Sequence, residues 1–159
     1  MASEALRVLC FGNPLHGDDG FGHAVWRRLA AGPLPEGVEV FEAGIRGFDA
    51  APLFEDCARV IVVDALAPGP QPGRLHRLTA AEVPAEPVTG HGAGLGCLLA
   101  ALGELLEAPP DVTVLAVETA AIRPFSPGLS PAVGAAVAAT ADAVLALAGR
   151  PAPEARRHG

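Results

Sequence analysis

Two acidic residues and one histidine stand where a parallel sheet would bring their side chains together. Asp19 follows a short apolar run, Leu6–Phe11, and Asp64 closes the β-branched run 60–63. His91 lies in a later loop that contains three glycines. Carboxylate oxygens and an imidazole nitrogen suit a divalent cation, and three protein ligands leave positions open for water or substrate. We therefore predict a cation site formed by these three residues.

The segment around Asp19 reads GNPLHGDDGFG from residue 12 to residue 22. Glycine-rich turns after a first strand often hold phosphate, which the adjacent carboxylates of Asp18 and Asp19 would repel. A cation would instead offset the repulsion between these carboxylates. Asn13, His16 and Asp18 are candidates for supporting roles. Asp18 could equally be a helix N-cap, and Asp19 could be no more than a partner of the helix dipole.

Simpler interpretations also exist for the other candidates. Asp64 could hold a loop through backbone N–H groups, and His91 could be an exposed loop histidine. His23 lies four residues after Asp19 and would share its helix face, as a further ligand, a proton carrier or, as we expect, an exposed side chain. Cys10, Cys57 and Cys97 lie in apolar runs and are expected to be buried, reduced thiols.

Several classes of function are disfavoured by composition. The chain has 159 residues, a net charge of −7 and no lysine, which argues against a nucleic-acid partner and against lysine-based catalysis. No G-x-S-x-G elbow and no G-x-G-x-x-G fingerprint occur, which argues against a serine hydrolase and a dinucleotide site. The beginning of the chain favours neither a signal peptide nor a membrane span, so we predict a cytoplasmic protein.

The order of elements predicts one α/β domain over residues 1–149, followed by a disordered tail at 150–159. Strands are predicted at Leu6–Phe11 and at 38–42, 60–64, 74–78 and 112–118, with helices near 19–29, 48–54, 93–107 and 131–148. Ser130 is the expected N-cap of the last helix and Pro131 its first residue. Alternation of strands and helices predicts a mostly parallel sheet covered on both faces. Ligands of such sheets bind beyond the carboxyl ends of the strands, where the winding direction reverses.

Four segments together resemble the maturation endopeptidases of nickel-iron (NiFe) hydrogenases. They are GNPLHGDDGFG at 12–22, VVDA at 62–65, GH at 90–91 and GLSPAV at 128–133. Each is modest alone, but they occur in the family's order across residues 6 to 148. The resemblance implies a five-stranded, phosphorylase/hydrolase-like α/β fold. It also implies removal of a short C-terminal extension from the hydrogenase large-subunit precursor after nickel insertion.

The same resemblance assigns the family's metal-binding and catalytic set to Asp19, Asp64 and His91. Nickel would be supplied by the substrate, although another divalent metal could occupy the site in vitro. Two departures stand out: the family often has Glu at the position of Asp19, and this chain reads Glu-Ala-Gly at 42–44 where relatives tend to read Asp-Gly-Gly. The alternatives are a nickel-sensing maturation chaperone, a small nucleotide-binding or phosphorylase-like domain, and a purely structural interaction domain.

Overall fold

A five-stranded sheet forms the centre of the computed structural model, which describes residues 5–84 and 94–150. The strands lie in the order β2-β1-β3-β5-β4. Their bounds are Leu6–Phe11 (β1), Val38–Gly44 (β2), Arg59–Pro68 (β3), Leu75–Thr79 (β4) and Asp111–Thr119 (β5). All neighbours are parallel except β4, which pairs antiparallel with β5 at the edge. The predicted fold class, the central position of β3 and the edge position of β4 are confirmed.

Helices cover both faces of the sheet. The α-helices are Phe21–Ala30 (α1), Leu95–Leu105 (α2) and Pro131–Ala148 (α3), and 3-10 helices span Gly17–Gly20, Gly47–Phe54 and Ala80–Glu82. One core joins α1 and α3 to alternate sheet residues such as Ile61 and Val63, and the other joins α2 to Val60 and Val62. This alternation follows from the two-residue period of a strand, and it explains why β3 is apolar on both sides.

β1 and β3 are direct neighbours, paired from Leu6↔Arg59 to Cys10↔Val63. The chain passes from β1 to β2 on one side and then crosses back to β3 on the other side of β1. The winding direction therefore reverses between β1 and β3, and a ligand site is expected beyond the carboxyl ends of these two strands.

Some predicted boundaries were wrong. β3 does not end at Asp64 but continues to Pro68, because it keeps β5 as a partner after β1 has turned away. The first helix is preceded by the 3-10 turn Gly17–Gly20, and α2 ends at Leu105. Ser130 and Pro131 are the N-cap and the first residue of α3, as predicted, but the side chain of Ser130 makes no capping hydrogen bond. The predicted tail at 150–159 lies outside the described residues except for Arg150.

α3 is long and apolar enough to cross a membrane by length and composition, with a mean hydropathy of 1.7 over 18 residues. In this structure it packs against α1 and β5 and contributes Val133, Ala141, Val144 and Leu147 to the core. Core helices of globular proteins reach the same hydropathy when one face is buried and the other is rich in alanine. Only 28% of this 18-residue window is buried, so one face of α3 lies in the core and the rest of its alanine-rich surface remains accessible.

Candidate active site

Asp19 lies in the 3-10 turn that follows β1, and the local backbone holds its carboxylate towards the preceding loop. The backbone N–H of Asn13 donates to Oδ2 of Asp19 at 3.0 Å. The approach requires glycine at position 12, because Gly12 has a φ of 128° and a Cβ there would lie 2.1 Å from the carbonyl oxygen of Asp19. Asp19 remains partly exposed. Within the described part of the chain, Oδ1 of Asp19 has no hydrogen-bond partner.

Asp18 has a different role from its neighbour. It is 2% exposed, and its carboxylate accepts hydrogen bonds from the N–H groups of Ala120, Ala121 and Ser130 and from the Ser130 hydroxyl, at 2.7 to 3.2 Å. Burial opposes ionisation, but these four hydrogen bonds outweigh it and hold the pKa of Asp18 below its ordinary value of 3.8. Asp18 therefore does not cap α1. It fastens the loop after β5 to the turn after β1.

Asp64 is the first residue of β3 beyond the pairing with β1, which ends at Cys10↔Val63. Its side chain follows the alternation of the strand and lies on the face of Val62, the face covered by α2. Oδ1 of Asp64 accepts a hydrogen bond from the N–H of Ala65 at 2.8 Å. The turn that carries Asp19 packs against β3. The fold thus brings Asp19, in the turn after β1, and Asp64, in β3, to the same edge of the sheet.

The third predicted ligand, His91, lies outside the described residues. Among residues 5–84 and 94–150, no three His, Cys, Asp or Glu side chains are gathered as a metal site. What the described residues contribute is a pair of carboxylates at the switch point between β1 and β3. Carboxylate oxygens are hard donors that suit a divalent cation, so the chemistry of this pair fits the predicted use.

The two further candidates, Asn13 and His16, are structural neighbours of the carboxylate turn. Oδ1 of Asn13 accepts from the N–H of Leu15 at 2.9 Å, which closes an Asx turn, while its backbone holds Asp19. His16 makes an edge-to-face contact with Phe125, with ring centroids 5.5 Å apart. Both residues therefore shape the loop around Asp19.

Cys10 lies beneath the site and is chemically inert. Burial raises the pKa of the Cys10 thiol to about 12, with the negative charges of Glu42 and Asp64 adding to the effect. The thiol is therefore protonated at neutral pH and cannot be a nucleophile. Cys57 is buried as predicted, and burial raises the pKa of its thiol too, whereas Cys97 is only partly buried.

Sequence reasoning missed two His–Glu pairs near the carboxyl edge of the sheet. Nδ1 of His23 lies 2.7 Å from Oε1 of Glu42, and His23 is partly buried, so the expectation of an exposed side chain was wrong. Nε2 of His76 lies 2.7 Å from Oε1 of Glu118, and this bond is the main cause that lowers the pKa of Glu118. The pair of His23 and Glu42 could have been predicted from the order of elements, because α1 connects β1 to β2 and therefore packs near β2.

Comparisons with known proteins bear directly on this arrangement. Residues 24–147 match the family model described as hydrogenase maturation protease, HycI. The chain belongs to the hydrogenase maturation protease family. Asp64 and His91 lie inside the matched range of this protease family, and Asp19 precedes it.

Relatives and solved structures agree with this family. The hydrogenase expression/formation protein HupD of Rhodobacter capsulatus is 29% identical over 150 residues, which is 91% of this chain and 71% of HupD. A Methanocaldococcus jannaschii protein assigned to the hydrogenase maturation proteases is 36% identical over 86 residues, which is 53% of this chain and 56% of that protein. The match thus spans little more than half the length of this archaeal relative.

Two solved structures share the fold over nearly their whole length. The hydrogenase maturating endopeptidase HybD from E. coli has a TM-score of 0.78 and 28% identity, and the alignment covers 90% of this chain and 91% of HybD. A hydrogenase 2 maturation peptidase from a Thaumarchaeota archaeon has a TM-score of 0.68 and 32% identity, with 91% and 98% covered. The single α/β domain of this chain is therefore the fold of this protease family.

Proposed function

We propose that this chain is a cytoplasmic, nickel-dependent endopeptidase that removes a short C-terminal extension from the large-subunit precursor of a NiFe hydrogenase. Nickel belongs to the substrate in this proposal, and Asp19, Asp64 and His91 recognise it there. The observation that carries the proposal is the pair of carboxylates at the β1/β3 switch point of a hydrogenase maturation protease fold.

The position of His91 in the sequence is compatible with a common site. His91 precedes Gly94, the N-cap of α2, by three residues, and α2 covers the face of the sheet on which Asp64 lies. The negative charge of the carboxylates attracts a divalent cation to this site. Neutralising any of the ligands weakens the binding of the cation.

The chemistry assigned to the protein is modest. Bound nickel polarises the scissile carbonyl or an attacking water, as a Lewis acid does. Asp19 accepts the proton of this water and passes it to the leaving amine, because its Oδ1 is unengaged within the described residues. Asp18 is unsuited to this step, because four hydrogen bonds occupy its carboxylate and lower its pKa.

The test is cleavage of purified precursor, followed by mass spectrometry of the product. Wild-type protein should shorten nickel-loaded precursor and leave nickel-free precursor intact. Asp19→Ala, Asp64→Ala and His91→Ala should each abolish shortening while the thermal unfolding of the protein stays cooperative. A matched control is His158→Ala, because this histidine lies in the tail that is predicted to be disordered. Binding of nickel-loaded precursor without any shortening would make the chain a maturation chaperone and refute the proposal.

A further inference from the structure

Two loops at the carboxyl edge of the sheet share a four-residue pattern, Ile-Arg-x-Phe. The first is IRGF at 45–48, directly after β2, and the second is IRPF at 122–125, shortly after β5. We call them the flanking loops. Their apolar side chains face solvent: Ile45 is 74% exposed, Phe48 46%, Ile122 40% and Phe125 84%. The arginine of each loop is exposed as well.

Both flanking loops are fastened to the segment that carries Asp19. The N–H of Gly12 donates to the carbonyl of Gly44 at 2.9 Å, immediately before the first loop. The N–H of Gly17 donates to the carbonyl of Ser126 at 2.9 Å, immediately after the second loop. Since β2 and β5 lie on opposite sides of β1 in the sheet, the loops stand on either side of Asp19.

Phe125 is held exposed by a strained backbone. Its φ is 55°, in the left-handed region that phenylalanine rarely adopts, and its ring makes an edge-to-face contact with His16. The carboxylate of Asp18 accepts hydrogen bonds from the N–H groups of Ala121 and Ser130, on either side of the loop, and these bonds keep the loop in this conformation. A large apolar side chain that is kept in solvent against its backbone preference is typical of a binding surface.

The charges of this edge form a pattern that a partner could complement. The carboxylates of Asp19 and Asp64 lie in the centre, and the guanidinium groups of Arg46 and Arg123 stand in the two flanking loops. Neither arginine forms an ion pair with another described residue. In a chain with a net charge of −7, two exposed and unpaired cations beside exposed aromatic rings favour a partner that is apolar and carries negative charge.

We propose that the flanking loops bind the polypeptide segment of the precursor that spans the scissile bond. This segment places apolar side chains against Phe48 and Phe125 and at least one carboxylate near Arg46 or Arg123. The assignment rests on the proposed proteolytic function, because a protease must hold the chain on both sides of the bond that it cuts. It adds to that function a substrate sequence preference that the metal site alone cannot supply.

The experiment uses full-length protein and nickel-loaded precursor. Phe48→Ala, Phe125→Ala, Arg46→Glu and Arg123→Glu should each raise KM about tenfold, as loss of a hot-spot residue does, while kcat changes little. The effect of the two arginine variants should shrink as ionic strength rises. Phe125→Leu should recover most of the loss, because it keeps an apolar side chain. Leu105→Ala and Arg28→Glu are matched controls, since both residues are exposed and lie away from the flanking loops.

Binding measured without cleavage separates this inference from the function on which it rests. With nickel-free precursor, which the wild-type protein is expected to leave intact, binding can be measured without cleavage, and each loop substitution should weaken Kd about tenfold. Unchanged KM and Kd in the four loop variants, together with normal cleavage by the wild type, would overturn the docking surface alone. Failure of the wild-type protein to cleave or bind the precursor would overturn both.

Discussion

The adjacent carboxylates of Asp18 and Asp19 should respond in opposite ways to the same substitution. Asp18→Asn keeps the shape of the side chain but turns one of two acceptor oxygens into an NH2 donor. The amide oxygen can take the place of Oδ2 and keep the N–H groups of Ala120 and Ala121. The NH2 group then faces the N–H of Ser130, which donates the shortest of the four bonds, at 2.7 Å.

The cost follows from these contacts. A buried N–H without an acceptor costs about 1–3 kcal/mol, and the remaining bonds lose the extra strength that a charged acceptor gives them. We therefore expect Asp18→Asn to lower the free energy of unfolding by about 2–4 kcal/mol. For a domain of this size that corresponds to a fall in Tm of about 5–15 °C. Asp19→Asn loses one bond at a partly exposed site and should cost less than about 1 kcal/mol.

For cleavage activity the order of the two variants should be reversed, with Asp19→Asn losing more than Asp18→Asn. Asp19→Asn should abolish cleavage of nickel-loaded precursor, whereas Asp18→Asn should retain measurable cleavage at a temperature where it is folded. Urea unfolding followed by circular dichroism gives the first ranking, and mass spectrometry of the precursor gives the second. Equal losses of activity, or an unfolding free energy for Asp18→Asn within about 0.5 kcal/mol of the wild type, would refute the division of roles.

The pH dependence provides an internal check on the same bonds. Because the pKa of Asp18 is lowered on folding, the unfolded chain binds the proton more readily, and stability rises with pH through this region. The contribution of Asp18 is fully present above its ordinary pKa of 3.8 and is lost as the pH falls through the lower folded value. The difference in stability between wild type and Asp18→Asn should therefore be constant at neutral pH and shrink below pH 3.8.

Three further substitutions test the surroundings of the site. Gly12→Ala should destabilise the fold by about 3 kcal/mol or more and abolish cleavage, because its Cβ would lie 2.1 Å from the carbonyl oxygen of Asp19; near-normal unfolding would contradict the close approach. The hydrogen bond from His76 and other contacts lower the pKa of Glu118 below its ordinary value of 4.5. Glu118→Gln should therefore be less stable than the wild type above pH 4.5, and this deficit in urea unfolding should vanish in acid. Asp64→Asn should abolish cleavage while changing Tm by only a few degrees, so a large fall in Tm would reveal a structural carboxylate instead.

The sheet could be predicted because its signals are local. The β-branched run 60–63 marks a strand that is buried on both faces, and the alternation of elements then determines the order of strands around it. The end of β3 could not be predicted from the run alone. Where that strand ends depends on its partners, since β1 turns away at Gly12 while β5 continues beside β3 to Pro68.

The roles of Asp18 and Asp19 could not be separated from the sequence. Both residues lie in one acidic turn, and any helix start would accept either of them. Asp18 is distinguished by Ala120, Ala121 and Ser130, which are more than 100 residues away in the chain. Ser130 illustrates the same limit, because its sequence context predicts a cap whereas its hydroxyl donates to Asp18.

The distribution of charge links the site to the proposed use of nickel from the substrate. Glu42 and Asp64 both raise the pKa of Cys10, so their negative potentials overlap beneath the β1/β3 switch point. The chain has no lysine to neutralise this potential, and Arg46 and Arg123 stand in the flanking loops rather than at the centre. Such a site gains most from a partner that brings its own cation, because the Coulomb attraction is then available only when the metal is present. Discrimination between loaded and empty precursor would follow from this electrostatic difference, without any change in the fold of the protein.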